Sequence, residues 1–257
     1  MKSVTKYLLI TFLFTWILQI PVVLDAQKVI SLPFLPLILL LFGSFGPSLC
    51  GVLLTWREEG YQSVRQLFKD GFNLRISWQI YLFIATVPLG LSLLAHLIAG
   101  GTEFDFNILS FLGTFILYFF LGGSFNEEFG WRGYMLPRLI KNYSVLTATL
   151  LVGIFWSVWH LPMFWMIGTS QYKTPIWLFV IGTTAAAVKY TWVYLGTNGN
   201  LFACLLLHTF TNITVVVFPI EVSNGIDNRI YYETFFEVVL AVILIAVSYK
   251  KMRENVT

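Results

Sequence analysis

Long uncharged stretches divide this chain into eight apolar segments separated by short polar ones. Each segment approaches the length of about 20 mostly apolar residues that a helix needs to cross a bilayer. Apolar and polar positions do not alternate within them, and the runs are too long for strands. The pattern therefore predicts an all-α fold, a polytopic membrane helix bundle of about eight transmembrane helices. The segments cover residues 7–24, 32–56, 76–99, 106–124, 145–167, 175–195, 200–220 and 234–249.

The composition supports this interpretation and excludes several classes of protein. Hydrophobic residues make up 57% of the 257 residues and charged residues 11%, against about 25% charged in an ordinary soluble domain. One core cannot hide that much apolar surface, which argues against a soluble enzyme, a disordered chain and a nucleic-acid-binding protein. Cys50 and Cys204 both lie in apolar runs, so a disulfide scaffold or a thiolate zinc site is not expected. With no internal repeat or linker visible, residues 1–257 are interpreted as a single integral membrane domain.

The basic residues predict the orientation of the bundle. With the N-terminus inside and eight crossings, twelve of the 16 lysines and arginines fall on inside segments, and Lys28, Lys173 and Arg229 fall outside. This bias predicts that both termini are cytoplasmic. Lys189 remains within a span and is expected to extend towards the interface. The mixed-charge segment 57–75 predicts an amphipathic helix on the cytoplasmic face.

The first polar cluster is Asn126-Glu127-Glu128-Phe129-Gly130-Trp131-Arg132. Ionisable groups at membrane depth are expensive and usually functional. Glu128 and Arg132 are four residues apart, so they share a helix face and can pair, whereas Glu127 is turned about 100° away. One carboxylate is then structural and the other is available for chemistry. Ordinary solvated charges in a cytoplasmic loop are the alternative.

Two further clusters place histidines within apolar segments. His160 follows Trp156 by four residues, and Asn212 follows His208 by four, so each pair lies on one helix face. Such groups can simply join helices by hydrogen bonds. His96 stands alone and is interpreted as structural.

Together, a glutamate, two histidines and an asparagine suffice to activate a water or to bind a divalent metal such as zinc. The candidate metal ligands are Glu127, His160 and His208. Asparagine is a weak ligand for zinc, which favours an oxyanion-binding role for Asn212.

The order and spacing of the clusters resemble the CPBP intramembrane proteases, also called the Abi or CAAX-protease and bacteriocin-processing family. The shared motifs are Glu-Glu-x-x-x-Arg from Glu127, an aromatic residue followed four positions later by His160, and His-x-x-x-Asn from His208. The match covers a core at about residues 106–218. Trp156 stands where the family usually has phenylalanine.

The resemblance implies an intramembrane endopeptidase, in the bacterial plasma membrane, that hydrolyses a peptide bond in a membrane-associated peptide or protein. Glu127 and His160 would activate the water, and His208 and Asn212 would bind a metal or steady the oxyanion. Supporting roles would fall to Glu128, Arg132 and Trp156. A glutamate-dependent and a metallo-endopeptidase mechanism both fit these residues. A non-catalytic protein of the same fold, for bacteriocin immunity or scaffolding, is the alternative, and a transporter is a weaker one.

The depths of the clusters impose one further expectation. At 1.5 Å per residue, a helix from residue 106 places Glu127 about 30 Å along, at the membrane surface, while His160 lies about 22 Å into its own helix. Either the helix that carries Glu127 continues inside the bundle past Gly122 and Gly123, or the stretch after Val145 begins below the membrane. We favour the first, since paired glycines permit a kink.

Overall fold

Helices form the regular structure of the computed structural model, which describes residues 2–102, 107–218 and 228–253. No strand occurs among these residues, so the predicted all-α class is confirmed. A π-helical turn at Trp131–Met135 and 3₁₀ turns at Leu161–Trp165 and Gln171–Lys173 interrupt the sequence of α-helices. The α-helices are α1 (Lys2–Ala26), α2 (Pro36–Ser44), α3 (Gly46–Glu59), α4 (Tyr61–Gly71), α5 (Trp78–Ile98), α6 (Ile108–Leu121), α7 (Ser124–Gly130), α8 (Leu136–Ile140), α9 (Val145–Trp159), α10 (Ile176–Gly196), α11 (Leu201–Val217), α12 (Asn228–Val247) and α13 (Tyr249–Arg253).

The predicted polytopic bundle is confirmed, and each of the eight apolar segments contains a helix. In the described ranges, six helical stretches are long and apolar enough to cross a membrane, and α2 with α3 makes a seventh if that bent pair is one span. The remaining segment corresponds to α11, which is apolar but only 17 residues long. Such a set of apolar helices belongs to an integral membrane protein. They are Lys2–Ala26, Trp78–Ile98, Ile108–Ile140, Val145–Trp165, Ile176–Gly196 and Asn228–Val247.

The second apolar segment is broken, which its continuous hydrophobicity does not reveal. Helices α2 and α3 meet at an angle of 45°. Pro47 lies in the first turn of α3, where it lacks the N–H that a continuous helix would need and disfavours helical geometry in the residue before it.

The fourth apolar segment continues inside the bundle, as its glycine pair predicted. The helical path runs from Ile108 to Ile140 and is interrupted at Gly122 and Gly123, where Gly123 adopts a φ of +115°. The Asn126 side-chain oxygen accepts a hydrogen bond from the Gly123 N–H at 2.9 Å and so supports the new helical start. Most of α7, including Glu127 and Glu128, is buried. The interpretation of these carboxylates as solvated loop charges is therefore wrong.

Helices α3 and α7 pack with their backbones in close approach. A Cβ atom added to Gly51 would lie 2.9 Å from the Gly130 Cα atom. Around this contact the largest core cluster gathers bulky aromatic side chains, among them Tyr7, Trp131 and Trp159. The close approach packs α7 against α3, and the two carboxylates of α7 are buried.

Two expectations about charged segments have different outcomes. Lys189 does not extend to the interface: its side chain is fully buried and pairs with Glu237 of α12. A neighbouring carboxylate neutralises this cation inside the bundle, so it has no need to reach water. The predicted amphipathic helix exists as α4, with Leu67 on its buried side, and its cytoplasmic location stays a prediction.

Candidate active site

Three of the predicted site residues direct polar atoms towards one place beside Gly123. A Cβ atom added to this glycine would lie 2.7 Å from His208 Nε2, 3.0 Å from Asn212 Nδ2 and 3.1 Å from Glu127 Oε1. The absence of a side chain at Gly123 therefore leaves the space that these atoms face. Its positive φ, at +115°, also favours glycine. The structure thus brings the first and third motifs together at the break between α6 and α7.

Glu127 is held by one of its two carboxylate oxygens. The Trp156 indole N–H donates a hydrogen bond of 2.5 Å to Glu127 Oε2, and only 5% of the residue is exposed. Because Oε2 is engaged, Oε1 is the oxygen that faces the space beside Gly123. A supporting role was predicted for Trp156, and the structure adds a direct hydrogen bond to Glu127 that phenylalanine cannot make.

Glu128 pairs with Arg132 as the helical spacing predicted. Arg132 Nη1 donates to Glu128 Oε1 at 2.9 Å, and both side chains are completely buried. The same oxygen lies 2.8 Å from His208 Nδ1. With Nδ1 bonded to a carboxylate, the imidazole ring is oriented so that its Nε2 atom points to Gly123. Glu128 therefore positions His208 as well as Arg132, a contact that the separation of 80 residues concealed.

The Arg132 guanidinium lies between two aromatic rings. Its carbon is 4.4 Å from the Trp156 ring centroid and 4.3 Å from that of Tyr190. Two of its nitrogens, Nε and Nη2, have no hydrogen-bond partner among the described residues, so cation–π contacts supply part of their stabilisation. Tyr190 was not a sequence candidate, because one more aromatic residue in an apolar helix carries no distinguishing signal.

His160 lies just after the end of α9 and lines a cavity that Glu127 and His208 also line. Its Nδ1 atom hydrogen-bonds to the backbone carbonyl of Trp156 at 2.8 Å, which leaves Nε2 as the acceptor of the neutral ring. Aromatic neighbours hold the ring at centroid distances of 4.6 Å from Trp159 and 5.2 Å from Phe179.

Asn212 combines a structural bond with a position in the site. Its side-chain nitrogen donates to the Gly122 carbonyl at 2.6 Å, which joins α11 to the end of α6. An amide nitrogen carries two hydrogens, so one N–H remains for a ligand. The predicted shared face of His208 and Asn212 is confirmed, because both side chains reach the space beside Gly123.

A cavity of about 630 Å³ connects these groups. Glu127, Trp156, His160, His208 and Asn212 all line it. Its walls also contain polar residues outside the three shared motifs, among them Gln19, Asn126, Glu233 and Glu237. A signal for Gln19 and Glu237 was present in the sequence, since each is a polar residue inside an apolar run. His96 does not line the cavity and packs against Phe218 instead.

The polar atoms of the site decide whether the predicted ligands fit a zinc ion. Within the described ranges, no three histidine, cysteine, aspartate or glutamate side chains gather in a way that could hold a metal ion. Beside Gly123 the chain offers one imidazole nitrogen and one carboxylate oxygen, and the third polar atom there, Asn212 Nδ2, is a hydrogen-bond donor. The candidate set Glu127, His160 and His208 therefore does not fit a three-ligand zinc site in this arrangement.

Two comparisons with known proteins place this cavity in context. Residues 108–214 match the family model described as Type II CAAX prenyl endopeptidase Rce1-like. The chain is also 26% identical over 192 residues to CAAX prenyl protease 2 of Methanococcus maripaludis, covering 69% of this chain and 71% of that protein. These matches confirm the predicted resemblance to CAAX-type proteases, and they support a protease embedded in a membrane. The matched region contains all of the candidate site residues.

Proposed function

Because the chain is similar to CAAX prenyl proteases across its buried polar centre, we propose that it is an intramembrane endopeptidase. It hydrolyses a peptide bond in a membrane-associated peptide or protein. The observation that carries this proposal is the meeting of Glu127 Oε1, His208 Nε2 and Asn212 Nδ2 beside Gly123. A carboxylate base and two nitrogen atoms around one open space are the groups that hydrolysis of an amide requires.

In the proposed reaction, Glu127 Oε1 and His160 Nε2 hold the attacking water. Glu127 takes a proton from the water as its oxygen bonds to the carbonyl carbon. The carbonyl oxygen then carries negative charge and is stabilised by the remaining Asn212 N–H, and by His208 Nε2 when that ring bears both protons. Glu127 passes the proton to the amide nitrogen as the C–N bond breaks, which releases an amine and a carboxylic acid.

The buried ion pair keeps these groups in position. Glu128 orients the His208 ring through Nδ1, and Arg132 neutralises Glu128 in the bundle interior. Trp156 contacts both parts of this arrangement. Its indole N–H donates to Glu127, and its ring face covers the Arg132 guanidinium, which pairs with Glu128. We propose the metal-free, glutamate-dependent form of the mechanism, because the donor set beside Gly123 suits a water and an oxyanion better than zinc.

The test is cleavage by the purified protein in detergent. Candidate substrates are peptides ending in a CAAX sequence, with and without a prenyl group, and peptides with an internal cleavage site. Glu127→Gln should abolish turnover, whereas Glu59→Gln, which changes a surface carboxylate paired with Arg138, should not. A folded protein that cleaves none of these peptides would favour the non-catalytic alternative.

Metal dependence has a separate readout. Protein washed with a chelator should retain turnover and contain no stoichiometric zinc by elemental analysis. One zinc per chain, lost together with activity, would contradict the metal-free mechanism. We further propose, from the family resemblance, that the protein lies in the bacterial plasma membrane. The distribution of its basic residues supports the proposal that both termini are in the cytoplasm.

A further inference from the structure

Helix α4 carries exposed aromatic and basic side chains that the proposed mechanism does not use. At about 100° per residue, Tyr61, Phe68 and Phe72 fall within about 40° of one another around the helix axis. Their exposed fractions are 68%, 36% and 50%. The exposed cations Arg65 and Lys69 occupy the adjoining sector. We call these five residues the α4 stripe.

The two cations of the α4 stripe lack a counter-charge. Arg65 and Lys69 are four residues apart, a spacing at which like charges repel and destabilise a helix. Neither takes part in an ion pair with a described carboxylate. Asp70, the acidic residue of α4, lies about 100–140° away from them around the axis and accepts a 2.8 Å hydrogen bond from Gln66. An anion from outside the chain would remove the repulsion.

Two more exposed arginines flank the helix. Arg57 lies in the last turn of α3, and Arg75 follows α4. Among the described residues, neither forms an ion pair. The carboxylates next to Arg57, those of Glu58 and Glu59, both pair with Arg138 instead. The cations of this surface therefore remain available to an external anion.

The other side of α4 is fixed to the bundle. A Cβ atom added to Gly71 would overlap the Phe129 ring of α7, and the Phe68 ring centroid lies 5.1 Å from that of Phe129. Just beyond the helix, the Asn73 carbonyl accepts a 2.9 Å hydrogen bond from Asn200, the N-cap residue of α11. A ligand that binds α4 is therefore expected to stabilise the packing of α7 and α11 as well.

We infer that the α4 stripe binds the head groups of anionic phospholipids. Helix α4 joins α3 to α5, which belong to apolar segments long enough to cross a membrane, so it lies at the membrane surface. A phospholipid offers an acyl boundary for the three aromatic side chains and a phosphate for the two cations. A soluble anion would leave the aromatic side chains in water. This inference is independent of the proposed peptidase activity.

The test measures the melting temperature of the purified protein in neutral detergent during titration with phosphatidylglycerol or with phosphatidylcholine of the same chain length. A ligand of the folded state raises this temperature with its concentration, and phosphatidylglycerol should act at lower concentration. Arg65→Gln/Lys69→Gln should reduce this preference by about 5-fold for each cation removed. Without lipid, the double variant should melt at the same temperature or slightly higher, because the like-charge pair is gone.

The matched control is Lys2→Gln/Lys6→Gln. It removes two exposed cations with the same spacing on α1, and so changes the net charge equally. The control should keep the preference of the wild type. A second measurement needs no variant: 1 M sodium chloride should weaken the effect of phosphatidylglycerol on the wild type and leave that of phosphatidylcholine unchanged, because salt screens exposed charges.

Three outcomes would overturn the inference. The first is equal stabilisation of the wild type by the two lipids. The second is an equal loss of preference in the Lys2/Lys6 control, which would indicate net charge rather than the α4 stripe. The third is stabilisation by inorganic phosphate as strong as that by phosphatidylglycerol, which would assign the cations to a free anion. Peptide cleavage is not part of this test, so its failure and that of the proposed function are distinguishable.

Discussion

The dual contact of Glu128 leads to a prediction that separates stability from turnover. Glu128→Leu removes the carboxylate that touches both Arg132 Nη1 and His208 Nδ1, at 2.9 and 2.8 Å. Arg132 is then a buried cation without a counter-charge, which typically costs about 3–5 kcal/mol of unfolding free energy. At about 2–4 °C per kcal/mol for chains of 150–250 residues, the melting temperature should fall by about 6–20 °C.

The double variant Glu128→Leu/Arg132→Met shows which part of this loss comes from the ion pair. Replacing both charges by apolar groups is often nearly neutral, and a methionine thioether packs well between the rings of Trp156 and Tyr190. The double variant should therefore recover most of the lost melting temperature. Its turnover should stay about 10²–10³-fold below that of the wild type, because His208 is no longer oriented towards the oxyanion.

Melting and turnover should be measured on the same detergent-solubilised samples, so that each rate refers to folded protein. A double variant that melts as low as Glu128→Leu would show that the unpaired arginine is not the source of the instability. A double variant with wild-type turnover would show that His208 does not depend on Glu128. Either result would refute the reasoning from this contact.

Three other predictions test different parts of the structure. Trp156→Phe keeps a ring against the guanidinium but removes the N–H that donates to Glu127, so kcat should fall about 10-fold or more, and the melting temperature should also fall because a buried carboxylate oxygen loses its donor; unchanged kcat would count against that bond. Gly123→Ala should reduce turnover at least about 100-fold, because its Cβ would meet the atoms of the site and its φ is +115°. Gly113→Ala, whose Cβ meets nothing within 4 Å, is the control and should be active. A cysteine at Lys173 should react with a membrane-impermeant reagent only from the outside, and labelling from the cytoplasmic side would contradict the predicted topology.

The features that the sequence predicted well are local ones. The pairing of Glu128 with Arg132 follows from a spacing of four residues on one helix. The continuation of the chain past Gly122 and Gly123 follows from the mismatch of depths and the conformational freedom of glycine. In each case, the residues concerned lie within a few turns of one another, so helical geometry alone relates them.

The predictions that failed, or were missing, concern contacts between distant segments. Lys189 was expected at the interface, and the expectation failed because its partner Glu237 lies 48 residues further along the chain, where helical spacing gives no hint of the contact. The bond between Trp156 and Glu127 likewise joins two helices. Whether a buried polar residue has a partner depends on the rotation and height of two helices relative to each other, and neither quantity is encoded in a short stretch of sequence.

The sequence by itself therefore determined that the chain forms membrane helices and which polar residues lie within them. The physical reason is that the bilayer core holds no water for the backbone N–H and C=O groups. These long apolar segments therefore satisfy their backbone hydrogen bonds within helices. The tertiary structure decided which atoms meet: Glu127 Oε1 with His208 Nε2 and Asn212 Nδ2 beside Gly123, and Gln19 against the same cavity. Those meetings arise from packing, since the close approach of glycine backbones and the fit of aromatic rings orient each helix only once all of them are in place.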